Sequence, residues 1–142
     1  MIEVMRKRSP GLARGDYLAL YDEDCELTVP GFAGRGREAV GLFWDLNMNA
    51  FPDNRVSVLR VVGGDGDAPA AEESVIEGTH TGPLLGADGS ELPPTGRHMS
   101  GPFCALHEQR DGLLVSSHVY YDQLELLTQL GVPTGESALS GG

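Results

Sequence analysis

EGTHTGPLLGADGSELPPTGR, residues 77–97, is the stretch on which the fold of this chain turns. Up to Thr81 its small and polar residues suit a strand whose two faces meet different surroundings. The glycines and prolines that follow permit turns that most side chains forbid, and Pro-Pro-Thr-Gly-Arg closes the connection. Working outward, alternation predicts strands at Arg55 to Val62, Glu73 to Thr81, His98 to Gln109 and Leu113 to Leu126, the last two joined by a turn at Asp111-Gly112. Upstream, residues 11–24 read as a helix, Cys25 to Val29 as a short strand, and Pro30 to Arg35 as a loop. Arg37 to Asn49 carries Val40, Phe43, Trp44 and Met48 at three- and four-residue steps, the spacing of a helix that covers an apolar surface. Helices first and strands afterwards imply an α+β domain, with an antiparallel sheet curled against helices.

At 142 residues the chain falls within the usual range for one domain with a real core. The net charge of −11 argues against a phosphate-backbone partner, which needs concentrated Lys and Arg. The basic cluster Arg6-Lys7-Arg8 reads as a solvated end, so neither a nucleic acid nor a membrane is an expected partner. No apolar run approaches a bilayer span or a signal-peptide core, which leads to an expectation of a cytoplasmic, unanchored protein. Cys25 and Cys104 describe neither a disulfide framework nor a zinc site and read as two buried thiols.

Two glycine-rich stretches imitate nucleotide motifs. Gly34-Arg35-Gly36-Arg37-Glu38-Ala39 fits the dinucleotide fingerprint, but no parallel strand-helix-strand series follows, so it reads as a turn and a helix start. Gly63-Gly64-Asp65-Gly66 has no following Gly-Lys-Ser/Thr and reads as a loop, within a polar stretch from Gly63 to Ala71.

The chemistry is expected on the closing strands. His118, Tyr120 and Asp122 alternate along one strand and share a face; Phe103, Ala105 and His107 alternate on the strand before it. Pairing about Asp111-Gly112 brings His107 near Ser116 or its neighbours. If that face is concave, its polar groups line an otherwise apolar pocket, the usual form of a small-molecule site. A desolvated carboxylate there is a stronger base, and a histidine or tyrosine beside it can donate to a developing enolate oxygen. Trp44 and Phe43 read as core or pocket wall. Either His80 or the opposite-parity set Glu77, Thr79 and Thr81 faces the pocket.

Gly78 to Leu84 and Pro93 to Arg97 resemble the "GTHTGPL...PPTGR" signature of the SnoaL-like polyketide cyclases, within the nuclear-transport-factor-2-like superfamily. Over roughly residues 14–131 the resemblance continues in Leu20-Tyr21-Asp22-Glu23-Asp24-Cys25, Pro30-Gly31, Gly36-Arg37-Glu38-Ala39-Val40, Ala50-Phe51-Pro52-Asp53, Arg110-Asp111-Gly112-Leu113-Leu114, Tyr121-Asp122 and Gln129-Leu130-Gly131. It implies a cone-shaped α+β barrel over residues 14–131; residues 1–13 read as a mobile N-terminal segment, and the small, turn-forming composition of residues 132–142 as a flexible tail. It also implies a homodimer, and a small polycyclic substrate. By resemblance, the acid/base pair for intramolecular aldol ring closure falls on Asp122 and His107. The substrate-binding candidates are His118, Tyr120, Trp44, His80 and Phe51.

Lys7 is the chain's one lysine and lies in the N-terminal segment, so a Schiff-base aldol reaction lacks a plausible buried amine. His80, His98, His107 and His118 show no zinc-enzyme spacing. Cofactor-free acid/base ring closure of an aromatic polyketide intermediate is therefore the expected activity. The alternatives are hydroxylation, epoxide hydrolysis, isomerisation or dehydration in the same pocket, or a non-catalytic ligand-binding module in which Asp122 only anchors a strand.

Overall fold

The computed structural model describes residues 13–85 and 89–132. Residues 1–12 and 133–142, which hold most of the N-terminal segment and the tail, lie outside the described residues. In chain order the elements are α1 (Arg14–Leu18), β1 (Tyr21–Val29), β2 (Phe32–Arg35), α2 (Gly36–Ala50), β3 (Arg55–Gly63), β4 (Ala70–Thr79), β5 (Leu84–Leu85), β6 (Glu91–Leu92), β7 (His98–Arg110), β8 (Leu113–Tyr121) and α3 (Gln123–Gln129). The main sheet runs β2-β1-β8-β7-β4-β3, antiparallel except for the parallel β1–β8 pair, while β5 and β6 form a separate two-stranded hairpin. This is an α+β fold with a curled, unclosed sheet.

Besides the start of β4 at Ala70 instead of Glu73, three boundaries depart from the sequence reading. The predicted first helix stops at Leu18, and Tyr21–Val29 is strand throughout; its buried residues Tyr21, Cys25, Leu27 and Val29 follow a pleated surface. The predicted loop at Pro30 to Arg35 is the turn and second strand of a hairpin, with Gly31 at φ 78°. The last strand ends at Tyr121, where Asp122 starts a helix by accepting a hydrogen bond from the Glu125 amide at 3.0 Å.

β7 alternates without a break. Met99, Gly101, Phe103, Ala105, His107 and Gln109 are buried and the residues between them exposed. α2 packs on β1 and β2, and α3 on β7, so the inner face of the sheet and the helices enclose the core. One apolar cluster joins Tyr17, Tyr21, Cys25, Leu27, Val29, Val40 and Leu114; a second joins Ala50, Phe51, Met99 and Leu130.

The motif glycines have specific causes. A Cβ on Gly34 would lie 2.6 Å from Ala39 Cβ, and Gly36 sits at φ 83°, so the dinucleotide-like run is the end of β2 packed against the start of α2. The deciding stretch is a clasp. Thr81 and Gly82 donate their amides to Ala50 O at the end of α2, His80 N donates to Arg97 O, and Gly96 N donates to His80 O. Arg97 in turn packs on Gly131, whose added Cβ would lie 3.0 Å from its Nε. The "GTHTGPL" and "PPTGR" halves therefore belong together because they bind each other and two helix ends.

Of the two cysteines, Cys25 is buried as expected, and burial pushes its thiol pKa up. Cys104 is exposed, because the even positions of β7 point outward.

Candidate active site

A β-bulge decides which side chains meet. From the Asp111-Gly112 turn, Arg110 pairs with Leu113 and Gln109 with Leu114, but Glu108 then pairs with Ser116, leaving Val115 unpaired. Beyond it Phe103 faces Tyr121, Ala105 faces Val119, and His107 faces Ser117. One extra residue moves an entire side-chain set to the other face of a sheet. Without the bulge, His118 and Tyr120 would share the face of His107. With it, Ser117, Val119 and Tyr121 do.

The sequence expectation for that wall is thereby corrected. His118 and Tyr120 lie on the outer face, in a groove with Leu106 and Val62, and Tyr120 is 57% exposed. Asp122 is exposed at the cap of α3 and does not itself line the cavity, although its neighbours Tyr121 and Gln123 do. Replacing Asp122 with Ala should cost about 1 kcal/mol in urea unfolding, and Asn almost nothing, because both Asp and Asn cap well. His80 is fully buried inside the clasp and does not line the cavity; of Glu77, Thr79 and Thr81, none lines it either.

His107, Trp44 and Phe51 do line a cavity of about 1150 Å³ between the inner sheet face and the helices. The stripe Phe43, Trp44 and Met48 predicted on α2 forms part of its wall, and the β5–β6 hairpin contributes Leu84, Leu85 and Leu92. Aromatic rings are prominent: Trp44 lies 4.8 Å from Tyr17 between centroids, and Phe32 lies 5.7 Å from Phe43. Tyr121 also lines the cavity, and burial raises its phenol pKa, which keeps it a protonated donor.

The polar centre of this apolar space is a residue that the sequence reading passed over. Glu72 is 2% exposed and lines the cavity. Its Oε1 lies 2.8 Å from His107 Nε2, and its Oε2 accepts from Ser74 Oγ at 2.7 Å. His107, also 2% exposed, places Nδ1 2.7 Å from Ser117 Oγ. Ser117 Oγ is 3.4 Å from the Tyr21 hydroxyl, which is 3.4 Å from that of Tyr17. The registers of β4 and β8 on β7 bring these groups together: Ala70, His107 and Ser117 lie in one row across three strands, and Glu72 in the next. The available signal was alternation. Ala70, Glu72, Ser74 and Gly78 share one parity, but the strand is expected to begin only at Glu73, which leaves Glu72 just outside it, after the polar loop.

His80 has a structural task. Its Nδ1 accepts from the Thr95 amide at 3.2 Å and lies 3.0 Å from Thr95 Oγ1, so the ring is neutral with its proton on Nε2. Burial pulls its pKa below the ordinary 6.5, with the Gly82 backbone opposing weakly. The unfolded chain therefore takes up a proton more readily than the folded one. Stability from His80 should be complete above pH 6.5 and decline as the pH falls below it toward the lower folded-state value. Urea midpoints between pH 7.5 and 5 in wild type and His80→Asn check this, with the His80 share of the slope absent from the variant.

Among the described residues no group of three or more His, Cys, Asp or Glu is arranged to hold a metal ion, and no helix is long and apolar enough to cross a membrane.

A large, mainly apolar cavity with a buried carboxylate-imidazole pair, enclosed by a curled sheet, has the usual form of a small-molecule site. The family model of the SnoaL-like polyketide cyclases matches residues 16–130, and the chain belongs to that family. A Catenulispora acidiphila DSM 44928 protein with a ketosteroid-isomerase-like fold is similar in structure, with a TM-score of 0.71 at 17% identity over 93% of this chain and 92% of that one. IdmH from Streptomyces antibioticus, which carries a provisional polyketide-cyclase name, is similar with a TM-score of 0.69 at 26% identity, covering 92% and 96% of the two chains. AclR from Streptomyces galilaeus, provisionally named a hydroxylase, is similar with a TM-score of 0.66 at 21% identity, covering 89% and 78%. No curated protein matches the sequence.

Proposed function

We propose that this protein closes a ring in an aromatic polyketide intermediate by cofactor-free acid/base catalysis, with Glu72 and His107 holding the proton in transit. The observation that carries the reading is the 2.8 Å Glu72–His107 contact in the wall of an apolar cavity. The aromatic wall around Trp44 suits a planar polycyclic substrate. An intramolecular aldol step removes a proton from carbon beside a carbonyl and later adds one to the new alkoxide, so the site must take up and return a single proton. A buried carboxylate-imidazole pair does this without net change. Lys7 remains the one lysine, which favours enolate over Schiff-base chemistry. Asp122, the base implied by the resemblance, is assigned the capping role instead.

The test is direct, because Trp44 is the only tryptophan and stands in the cavity wall. An anthraquinone ester with a β-keto side chain should quench Trp44 emission saturably and then lose its ketone carbonyl signal as the ring closes. Unquenched emission would remove the cavity from the account, and quenching without loss of the ketone would leave a ligand-binding module. Hydroxylation in the same cavity is the second reading, favoured by the likeness to AclR.

The outer sheet face is proposed as a homodimer surface. Leu106, Tyr120 and Val62 there are 55%, 57% and 58% exposed, an unusual apolar display for a monomer. Sedimentation should give a dimer mass for the wild type and a monomer mass for Leu106→Asp, with Trp44 quenching by the ester retained.

A further inference from the structure

We infer that the Tyr21 phenol is the group through which the buried Glu72–His107 pair exchanges its proton with the substrate, and that Ser117 is the link between them. The inference rests on the acid/base reading above and deepens it. Both ring nitrogens of His107 are already engaged, Nε2 by Glu72 and Nδ1 by Ser117. The imidazole therefore has no nitrogen to offer a ligand, although its ring lines the cavity. Glu72, His107 and Ser117 have the composition of an acid-histidine-serine triad, but Ser117 does not line the cavity, whereas Tyr21, as deeply buried, does. The next group along the chain of contacts is the Tyr21 hydroxyl, and Tyr21 does line the cavity. Tyr17, 3.4 Å further on, lines it as well.

The proton movements balance. At rest Ser117 Oγ donates to Tyr21 Oη; when its hydroxyl turns to His107 Nδ1, Tyr21 Oη can take a proton from the carbon beside the substrate carbonyl while its own proton passes to Ser117 Oγ and the Ser117 proton passes to His107 Nδ1. The imidazolium so formed is stabilised by the Glu72 carboxylate at Nε2. After the enolate carbon attacks the second carbonyl, one C–C bond has formed and one C=O π bond has opened to an alkoxide. Reversal of the relay then protonates the alkoxide from Tyr21 and restores neutral His107. The cycle takes up and releases no proton overall, and no oxidant or reductant is consumed; the hydroxyl and imidazole hydrogens of the relay exchange with solvent while the enolate persists. The two links of 3.4 Å are the long ones, as is common before a ligand closes a site, whereas those inside the pair and to Ser117 are already short.

The full chain and a simple carbon acid, 2-tetralone, test this apart from ring closure. Exchange of the ketone's α-hydrogens for solvent deuterium, followed by NMR at a concentration that saturates the protein, reports proton abstraction alone. Wild type should accelerate exchange, and Tyr21→Phe and Ser117→Ala should each reduce the acceleration by about 10²-fold. The double variant should be no slower than either single, because both break one relay. Ser117→Thr, which restores a hydroxyl, should recover most of the rate, and 2-tetralone affinity should remain within about threefold throughout. Retained wild-type exchange in Tyr21→Phe and Ser117→Ala, with exchange lost in Glu72→Gln, would overturn the relay and leave the acid/base reading standing. Bound 2-tetralone that undergoes no exchange with the wild type would overturn both.

Discussion

Glu72→Gln is expected to lower the rate of ring closure by about 10³-fold while leaving the protein folded and able to bind the anthraquinone ester. Gln keeps the length and hydrogen-bonding shape of Glu. Its carbonyl oxygen can still accept from one neighbour, while its amide has to face the other. What disappears is the negative charge. In wild type that charge stands 2.8 Å from His107 Nε2, inside a cavity wall from which water is nearly excluded. Taking a proton from carbon leaves the imidazole positively charged for the life of the enolate, and a carboxylate in direct contact compensates that charge where no solvent can. With a neutral amide in its place, the charged intermediate loses its partner and the barrier rises. Steady-state turnover of the ester, paired with Trp44 quenching for affinity, separates this from a binding defect: kcat should fall and the quenching constant should stay within severalfold. Unchanged turnover would remove Glu72 from the chemistry.

Gly82→Ala carries the largest expected effect on stability. An added Cβ would lie 1.8 Å from Asn49 O and 2.9 Å from Asn49 C, both backbone atoms at the end of α2. Neither can swing aside as a flexible side chain would. The same turn holds the Thr81 and Gly82 amides on Ala50 O, so relief of the clash breaks the clasp that aligns β4 with the return segment at Arg97. A loss of about 3 kcal/mol or more is expected in urea unfolding, at or beyond the usual range for overpacking. Gly15→Ala is the control. Nothing lies within 4 Å of its added Cβ and it sits in α1, so the change should be neutral or stabilising by up to about 1 kcal/mol.

These two residues mark what the sequence made legible and what it hid. The deciding stretch contained its own explanation in outline: a strand, a turn-rich excursion and a return, with glycines where backbone meets backbone at Gly82 and where φ is positive at Gly96. The α2 stripe of Phe43, Trp44 and Met48 was equally readable, since helical spacing survives any change in sheet register. His107 was found because β7 alternates without interruption. The faces of β8 were not readable. Leu114-Val115-Ser116-Ser117 offers no glycine or proline to mark a bulge, yet Val115 is left unpaired and every side chain beyond it changes sides. That single residue took His118 and Tyr120 out of the cavity and put Ser117 and Tyr121 in. For Asp122 the sequence offers two readings, a cap at a strand end and the base implied by the resemblance; its exposure and the Glu125 amide at 3.0 Å show the cap. Glu72 sits beside Glu73, and a pair of adjacent glutamates carries no parity until the strand's first residue is known.

The most direct test of the central claim is the mass of the product formed by wild-type protein from the anthraquinone β-keto ester, after exhaustive chelation and under anaerobic conditions. Acid/base ring closure predicts a ring-closed product with the mass of the ester, or that mass less one water, at the same yield as in air. A product heavier by one oxygen, or turnover that stops when metal or oxygen is withdrawn, would contradict it.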